Sequence, residues 1–513
     1  MDRSSMLTEP TGAALSQLAE QAWARFGGQS TLLFEGQQYT NAELGAWSRR
    51  LGTGLRAAGV CPGDRVIVCM ANCPEVLVAY HAIWRIGAVV TPVLFLLSED
   101  ELRHVLVDSG AVLALTTPEF LAKVVAAASG LDVRVAVTGP ASGDILSLDE
   151  LADGPESPLA PRDPADMAAL LYTGGTTGRA KGVVLSHDAL SFSAWSITLA
   201  GTEQQDSVAL VPLPLAHVYG LMVSAMGLHA VHPGRVVLMR WFEPSAWLRL
   251  VEQERVQTGA VVPTMLRLLL DQPLEDRDLS SLRRLGSGSA PLPRDVHAEW
   301  ARRVPNVEIT EGYGCTETGA LATCTPPGAY RIGSVGPAAP GVELRIELPD
   351  GSDAPTGADG EVCVRSPSLM TGYWHAADAG TERGAVHDGW FHTGDVGRLD
   401  EDGYLYVVDR LKDVIIRGGF NVYPRDVEEV FMEHPDVANC AVVGRRDPEH
   451  GEEVVAYVQL KAGATASAAA LREFGRAHLS AVKYPREVYL LEELPLTSVG
   501  KLDRKALRAR TRA

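Results

Sequence analysis

The chain has 513 residues, of which 46% are hydrophobic and 21% charged, and its formal net charge at pH 7 is −18. This length is about three times a usual domain of roughly 150 residues, so more than one hydrophobic core is expected. The composition excludes a disordered or disulfide-stapled chain, and the acidic charge disfavours nucleic acid and anionic membrane surfaces as partners.

The chain shows no segment typical of a membrane or secreted protein. The longest apolar runs, such as residues 89–97, fall far short of the ~20 residues that span a bilayer. Residues 1–5 are polar and lead into no apolar signal core, so export is not expected. The seven cysteines are scattered without a Cys-x-x-Cys pair, which is typical of reduced thiols. We therefore expect a cytoplasmic protein without an integral membrane segment.

Helical and strand patterns alternate in the first quarter of the chain. An apolar strand pattern at 65–70 is followed by a helix between Pro74 and Gly87, and then by another apolar strand at 88–90. This alternation predicts an α/β fold with a mainly parallel sheet covered by helices.

The pattern changes in the last third of the chain. Short strands punctuated by glycine, such as 341–346 and 360–365, indicate a smaller β-rich unit. The C-terminal part is rich in charge and carries an Ala-rich helical stretch at 464–477, which indicates a separate small α+β domain.

The segment most informative about chemistry is 173–182, Thr-Gly-Gly-Thr-Thr-Gly-Arg-Ala-Lys-Gly, which lies between two apolar strands. Its glycines let backbone amides approach an anion closely, its threonines add hydroxyl donors, and Arg179 and Lys181 add positive charge. The spacing does not fit a Walker A loop. We interpret the segment as a phosphate-binding loop, although taken alone it is also compatible with a flexible glycine-rich turn.

This loop resembles the signature of the adenylate-forming superfamily, which includes acyl-CoA synthetases, firefly luciferases and the adenylation domains of peptide synthetases. Gly174 stands where serine is usual and Ala180 where proline is usual, and both replacements are small. The other motifs of the superfamily follow in its order at 214–220, 286–291, 312–317, 393–395, 409–413 with 418–420, and 495–501. The chain therefore resembles an acyl-CoA synthetase of this superfamily over residues 31–508.

The resemblance implies an α/β enzyme whose large N-terminal domain, residues 1–409, consists of αβ-layered subdomains plus a β-rich subdomain. A hinge at 410–413 and a small mobile α+β C-terminal domain at 414–513 follow. Lys412 resembles the residue about which that small domain swings between the two half-reactions of the superfamily.

The resemblance also implies which residues handle ATP and Mg²⁺. A carboxylate that attacks the α-phosphate of ATP must overcome repulsion between two anions, so the site has to supply cations and hydrogen-bond donors. Glu317, with Thr316, resembles the magnesium anchor, and Lys501 resembles the lysine that reaches the α-phosphate and the acyl oxygens. Taken alone, Glu317 is also compatible with a helix cap and Lys501 with a surface lysine. The residues implied in the phosphate-binding loop are Thr173, Gly174, Gly175, Thr176, Thr177, Gly178 and Lys181, with Thr176 also a candidate metal ligand.

Nucleotide recognition needs an aromatic plate for adenine and a carboxylate for the ribose hydroxyls, and Tyr313 and Asp395 resemble that pair. Arg410 resembles a further ribose contact. Structural alternatives are a core aromatic for Tyr313 and a turn residue for Asp395. The further candidates implied around the nucleotide are Ser289, Ala290, Glu311, Gly312 and Gly314.

The carboxylic acid that is activated is constrained by position 218. Amino-acid-activating members of the superfamily place an aspartate there to pair with the α-ammonium, whereas this chain has Val218. An ammonium beside valine would lose its hydration without compensation, so α-amino acids should be rejected. The uncharged surroundings favour an uncharged aliphatic or aryl tail. His217 resembles either a packed gate residue, which we favour, or a proton-transfer base.

The acyl acceptor is implied by the C-terminal region. Gly418, Gly419 and Phe420 resemble the glycine strand that lines a pantetheine tunnel, which fits coenzyme A or the arm of a carrier protein. Lys483 and Arg486 resemble cations that bind coenzyme A phosphates, and an exposed solubilising pair is an equal alternative. We therefore expect a carboxylate–CoA ligase that uses ATP, Mg²⁺ and coenzyme A. The rival hypotheses are acyl transfer to a carrier protein or an amine, and a sensor or scaffold without turnover.

Overall fold

The structure, a computed structural model, describes residues 12–173, 180–201, 207–375, 386–496 and 502–510. The chain divides into two compact units, one formed by residues 1–344 with 364–391 and the other by 345–363 with 392–513. In the described ranges, no helix is both long and apolar enough to cross a membrane.

The described helices are α1 (Leu15–Phe26), α2 (Asn41–Ala57), α3 (Pro74–Arg85), α4 (Glu99–Ser109), α5 (Leu121–Ala128), α6 (Leu148–Leu151), α7 (His187–Gly201), α8 (Val218–His229), α9 (Pro244–Glu254), α10 (Pro263–Leu270), α11 (Arg294–Arg303), α12 (Pro424–Met432), α13 (Ala468–His478) and α14 (Arg504–Arg510). Short 3₁₀ turns occupy Pro118–Phe120, Leu274–Asp276 and Thr316–Thr318.

The described strands are β1 (Ser30–Phe34), β2 (Gln37–Thr40), β3 (Arg65–Cys69), β4 (Val89–Pro92), β5 (Leu113–Thr116), β6 (Arg134–Val137), β7 (Leu146–Ser147), β8 (Met167–Thr173), β9 (Lys181–Ser186), β10 (Val208–Val211), β11 (Arg235–Leu238), β12 (Thr258–Val261), β13 (Arg284–Ser287), β14 (Glu308–Glu311), β15 (Glu343–Glu347), β16 (Gly360–Arg365), β17 (Gly372–Tyr373), β18 (Val386–His387), β19 (Trp390–Leu399), β20 (Leu405–Arg410), β21 (Ile415–Arg417), β22 (Phe420–Val422), β23 (Val437–Asp447), β24 (Gly451–Leu460) and β25 (Glu487–Leu490).

The first unit holds two large sheets. One has the strand order β14-β13-β12-β10-β11-β1-β2, in which only the β1–β2 pair is antiparallel. The other has the order β17-β9-β8-β4-β3-β5-β6-β7, parallel from β8 to β7, with β9 antiparallel to both β8 and β17. The predicted α/β fold with mainly parallel sheets is therefore confirmed.

Two features of these sheets position candidate site residues. Strands β13 and β14 are parallel neighbours, with Ser287 opposite Glu311, so the segments that follow them leave the same edge of the sheet. Strand β17 is an edge strand on β9, with Tyr373 opposite Val183, and it brings residues 370–375 beside the start of β9.

The core of the first unit anchors the segment that enters α8. The buried Asn72 side chain donates to the carbonyls of Leu213 (2.9 Å) and Met239 (3.0 Å) and accepts from the Leu215 N–H (2.8 Å). The buried Tyr80 hydroxyl donates to the Leu215 carbonyl at 3.0 Å. The backbone before α8 is therefore held by buried hydrogen bonds from α3 and the segment that precedes it.

The second unit packs α12, α13 and α14 against a sheet of order β22-β21-β24-β23, with β25 on β24. Arg504 of α14 donates to both carboxylate oxygens of Glu428 at 2.8 Å, and the Val442 N–H donates to Glu428 at 2.7 Å. Burial raises the pKa of Glu428 in spite of the adjacent Arg504. Because a buried carboxylate without a partner is costly, this ion pair holds α14 against α12, and the Val442 bond holds α12 on strand β23.

Buried histidines make the first unit sensitive to acid. His187 has no exposed surface, its Nδ1 accepts the Leu15 N–H at 3.4 Å, and burial together with the Arg162 charge lowers its pKa to about 4. Burial likewise lowers the pKa of His81 and of His229 to about 4. Between pH 6.5 and 4 these histidines bind protons in the unfolded chain but not in the folded chain. Their contribution to the free energy of unfolding therefore decreases as the pH falls.

We predict that His187→Asn flattens this acid dependence. Asparagine keeps an acceptor for the Leu15 N–H but does not titrate, so on the order of 2–3 kcal/mol of the loss between pH 6.5 and 4 should disappear. Urea unfolding midpoints measured at several pH values check this. His478→Asn, at an exposed histidine, is the matched control, and identical slopes for the two variants would contradict the assignment.

Candidate active site

The residues that flank the predicted phosphate-binding loop are held by strand pairing. Thr173, the last residue of β8, lies opposite Lys181, the first residue of β9. His104 bonds the carbonyl of Ala180 through Nε2 at 3.2 Å. The loop residues Gly174, Gly175, Thr176, Thr177 and Gly178, like Lys501, lie outside the described residues.

Lys181 and Glu317 meet at Tyr373. The Tyr373 hydroxyl donates to Glu317 Oε1 at 3.0 Å, and Lys181 Nζ lies 5.3 Å from the centre of the Tyr373 ring. Two candidate residues from separate motifs are thereby brought together by a third side chain. Tyr373 was not among the residues predicted from the sequence, because its neighbours Thr371, Gly372 and Trp374 include no charged group and belong to none of the recognised motifs.

The turn that carries Thr316 and Glu317 is fixed by its backbone. The Cys315 N–H donates to Thr318 Oγ1 at 3.0 Å, and the Met370 N–H donates to the Glu317 carbonyl at 2.8 Å. Gly314 lies so close to the following segment that a Cβ there would stand 1.9 Å from the Ala320 carbonyl oxygen. Only glycine fits at this position without movement of the backbone.

The residues predicted to bind adenine differ in how exposed they are. Tyr313 is half-buried, and its backbone pairs with Ala322 and Thr323. Ser289 and Ala290 are exposed, and Ser289 has a left-handed φ of 66°. Ser289 and Ala290 lie on the segment after β13, whereas Tyr313 and Gly312 follow β14, so the sheet edge brings the two segments together.

Glu311 has structural partners of its own. Its buried carboxylate accepts the Leu292 N–H at 3.2 Å and the Tyr330 hydroxyl at 3.1 Å, which uses one bond on each oxygen. These bonds tie the 288–292 segment to β14. Its predicted contact with adenine stays a prediction.

His217 caps helix α8. Its Nδ1 accepts the Tyr219 N–H at 3.4 Å, which orients the imidazole at the start of the helix. Val218 is 3% exposed and packs in the main core of the first unit. Burial raises the pKa of Tyr219 to about 12, so its phenol stays protonated in an apolar setting. The helix is uncharged from Val218 to Leu228.

In the second unit, Asp395 and Arg410 lie opposite each other on β19 and β20, with Arg410 Nε 2.8 Å from Asp395 Oδ1. Asp395 is 6% exposed, whereas the Arg410 side chain is half-exposed. The structure therefore brings together the two residues predicted to bind ribose.

Glu361, which the sequence analysis did not identify, orders the turn before Asp395. Its carboxylate accepts the Gly394 N–H at 3.0 Å and contacts His392 Nδ1 at 3.1 Å. Thr393 Oγ1 donates to the Val362 carbonyl at 2.7 Å and accepts the Asp395 N–H at 3.1 Å. Asp395 is thus positioned by strand β16 as well as by its own strand.

Cys363, His392 and Glu347 place ligand-type atoms within 4.8 Å of one another. Burial and the adjacent Glu361 and Glu347 raise the pKa of Cys363 to about 12, so the thiol stays protonated. Arg345 already pairs with Glu347, and His392 with Glu361. We interpret the group as a satisfied polar network rather than a metal centre.

Gly418 and Gly419 form the turn of the β21–β22 hairpin. Their φ angles are 57° and 84°, and Arg417 lies opposite Phe420, which is the geometry of a type I′ turn that favours glycine. Phe420 is 62% exposed beside the turn, so an apolar surface accompanies the two glycines.

Two of the three remaining candidate cations of the second unit, Lys483 and Arg486, have local partners. Lys483 Nζ donates to Asp426 at 2.5 Å. Arg486 stacks 3.6 Å from the centre of the Tyr484 ring and donates to the Ala481 carbonyl at 3.0 Å. Lys412 is exposed.

The chain matches known proteins over nearly its whole length. The family model described as "AMP-binding enzyme" matches residues 19–374, and "AMP-binding enzyme C-terminal domain" matches residues 426–501. A feruloyl-CoA synthase of Amycolatopsis is 40% identical over 93% of this chain and 94% of that protein. An indoleacetate–CoA ligase of Aromatoleum aromaticum is 38% identical over 94% of this chain and 95% of that protein. The structure of the amide bond synthetase McbA from Marinactinospora thermotolerans superposes with a TM-score of 0.86 at 31% identity, covering 97% of this chain and 99% of that one.

We predict that Gly314→Ala disrupts nucleotide binding. The 1.9 Å approach to Ala320 forces the backbone apart between Tyr313 and the turn of Glu317, so ATP-dependent activity should fall at least 100-fold, roughly 3 kcal/mol. Nucleotide titration and activity assays measure the effect. Gly227→Ala in α8, where a Cβ meets no atom within 4 Å, is the control. Unchanged ATP affinity in Gly314→Ala would show that this spacing does not matter.

Proposed function

Because the chain belongs to the AMP-binding enzyme family, we propose that it is an ATP-dependent carboxylate–CoA ligase. In the first half-reaction a carboxylate oxygen bonds to the α-phosphorus of ATP and pyrophosphate leaves. In the second, the coenzyme A thiol bonds to the acyl carbon, loses its proton, and AMP leaves. The observation that carries this proposal is the meeting of Lys181 with Glu317 at Tyr373, where a cation and a carboxylate from separate motifs lie together.

Charge is the main obstacle in the first half-reaction, and the first unit has the groups to offset it. Lys181 supplies a cation at the end of the phosphate-binding loop. Glu317 and Thr316 offer the oxygen ligands that Mg²⁺ prefers, so they would hold this ion. When bound there, Mg²⁺ would neutralise phosphate charge. Thr176, Thr177 and Lys501 complete the proposed phosphate contacts.

The ribose is assigned to Asp395. A carboxylate accepts hydrogen bonds from both hydroxyls of a diol, and Asp395 is held for this task by Arg410 and by the turn that Glu361 orders. Tyr313 offers its half-buried ring to the adenine, together with the exposed segment of Ser289 and Ala290. Gly312 and Gly314 keep this segment of backbone close to its neighbours.

We propose an aryl acid as the substrate. Helix α8 offers uncharged side chains, and the buried Val218 leaves no partner for an α-ammonium. The feruloyl-CoA synthase and the indoleacetate–CoA ligase are named for aryl acids, which favours an aryl over an aliphatic tail.

Coenzyme A is the proposed acceptor because the relatives named above are CoA ligases. An amine is the second candidate, since the amide bond synthetase shares the fold at 31% identity. Lys483 and Arg486 are proposed contacts of the coenzyme A phosphates, which would have to compete with their local partners. The domain bounds 1–409, 410–413 and 414–513, the hinge role of Lys412, and a cytoplasmic location inferred from the cysteine pattern belong to this proposal too.

Pyrophosphate exchange into ATP tests the first half-reaction. The panel comprises ferulate, 4-coumarate, indole-3-acetate, a medium-chain fatty acid and phenylalanine, each with Mg²⁺. We expect exchange with an aryl acid and none with phenylalanine. Coenzyme A and a primary amine are then supplied separately, with mass spectrometry of the products. Pyrophosphate exchange with formation of an amide but no thioester would identify the amine as the acyl acceptor. Absence of exchange with every acid would refute the proposal.

We predict that Gly419→Val separates the two half-reactions. If the hairpin turn borders the path of the thiol, a branched side chain there blocks thioester formation but leaves pyrophosphate exchange intact. At a φ of 84° valine is also strained, by about 1–3 kcal/mol.

Gly463→Val controls for strain, because Gly463 has a φ of 79° and equally open surroundings. It should lower the melting temperature as much as Gly419→Val while retaining both half-reactions. Equal loss of thioester formation in the two variants would remove the turn from the acceptor path.

A further inference from the structure

Tyr373 joins two groups that the sequence motifs place far apart along the chain. Its hydroxyl donates to Glu317 Oε1 at 3.0 Å, while its ring carries Lys181 Nζ at 5.3 Å from the centre.

The position of Tyr373 is set by the backbone on both sides. The Thr371 N–H donates to the Val184 carbonyl at 3.0 Å, and the Trp374 N–H donates to the Gly182 carbonyl at 2.7 Å. Strand β17 is therefore fixed on β9 within three residues of Lys181. The Met370 bond to the Glu317 carbonyl joins the same segment to the turn.

The phenol acts on each neighbour through a different property. The hydroxyl is a donor toward Glu317, because a phenol, with an ordinary pKa of about 10, keeps its proton at neutral pH. A hydrogen bond accepted by Oε1 from this fixed donor sets the plane of the carboxylate and thereby the direction of its lone pairs. The negative face of the ring attracts the Lys181 ammonium.

We propose that Tyr373 is a positioning residue that presents Glu317 to Mg²⁺ and Lys181 to the phosphates of ATP. This inference rests on the proposed function, because it assigns those two roles to Lys181 and Glu317. Groups that orient a metal ligand typically contribute 10- to 100-fold to metal affinity or activity. Tyr373 should therefore control how much Mg²⁺ improves nucleotide binding, without touching the substrate.

Two substitutions separate the properties of the phenol. Tyr373→Phe removes the bond to Glu317 but keeps the ring under Lys181, whereas Tyr373→Leu removes both. Tyr172→Phe is the matched control. Tyr172 lies on β8 in the same sheet as Tyr373, and its hydroxyl also donates to a carboxylate, that of Asp108 on α4, at 2.6 Å. Neither Tyr172 nor Asp108 has a proposed role in catalysis.

The readout is calorimetric titration of α,β-methylene-ATP with and without Mg²⁺, supported by the Mg²⁺ dependence of pyrophosphate exchange. In Tyr373→Phe we expect the Mg²⁺-dependent gain in affinity to fall about tenfold, with metal-free affinity unchanged. Tyr373→Leu should in addition weaken metal-free binding. The control should match the parent protein, and melting curves verify that Tyr373→Phe is folded.

A folded Tyr373→Phe variant with the parental Mg²⁺ dependence in both measurements would overturn the inference. A merely structural tyrosine would lower the melting temperature and leave the Mg²⁺ dependence unchanged. If the parent protein activates no acid, the proposed function fails, but the calorimetric comparison still decides the role of Tyr373. A parent protein that does not bind the nucleotide with Mg²⁺ would overturn both.

Discussion

The pairing of the short edge strand β17 with β9 is the constraint on which the proposed nucleotide-binding residues of the first unit depend. Through this pairing, residues 370–375 reach the start of β9, almost two hundred residues earlier in the chain. The same segment bonds the turn of Glu317 through the Met370 N–H. The start of β9, residues 370–375 and the turn of Glu317 are far apart in the sequence, and backbone hydrogen bonds rather than side-chain charges bring them together.

In each unit, the carboxylates that we singled out are held in place by neutral donors or by an opposite charge. Glu317 accepts from a phenol, Asp395 lies beside Arg410, and Glu361 accepts from a backbone amide. Because the formal net charge is −18, binding of an anionic nucleotide requires local cations such as Lys181 and Arg410 to offset the overall acidic field. For binding an anionic nucleotide, the local arrangement of charges and donors is therefore more important than the total charge of the chain.

The sequence predicted the α/β fold and the family correctly, because both depend on patterns that are local. Alternating apolar segments predict parallel strands, and β3 and β4 lie where the strands at 65–70 and 88–90 were expected. The ordered motifs identified the AMP-binding enzyme family, whose relatives named above are acid–thiol ligases.

Contacts between distant segments could not be predicted from the sequence. Tyr373 and Glu361 contact partners that the spacing of the motifs does not reveal. The hydrogen bonds of Glu311 show that a motif residue can also stabilise the fold. The roles of Thr176 and Lys501 remain predictions, because those residues lie outside the described ranges.

The anchoring of the segment before α8 has a consequence for how this enzyme can change. Asn72 and Tyr80 hold the backbone at Leu213 and Leu215 from α3 and the residues before it, not from the nucleotide-binding segments. The side chains of α8 are less independent, because Leu221 and Met222 share one hydrophobic core with Val183 and Leu185 of β9. Substitutions in α8 that conserve this packing would leave the segments of Lys181 and Glu317 in place, which would allow one scaffold to serve many acids.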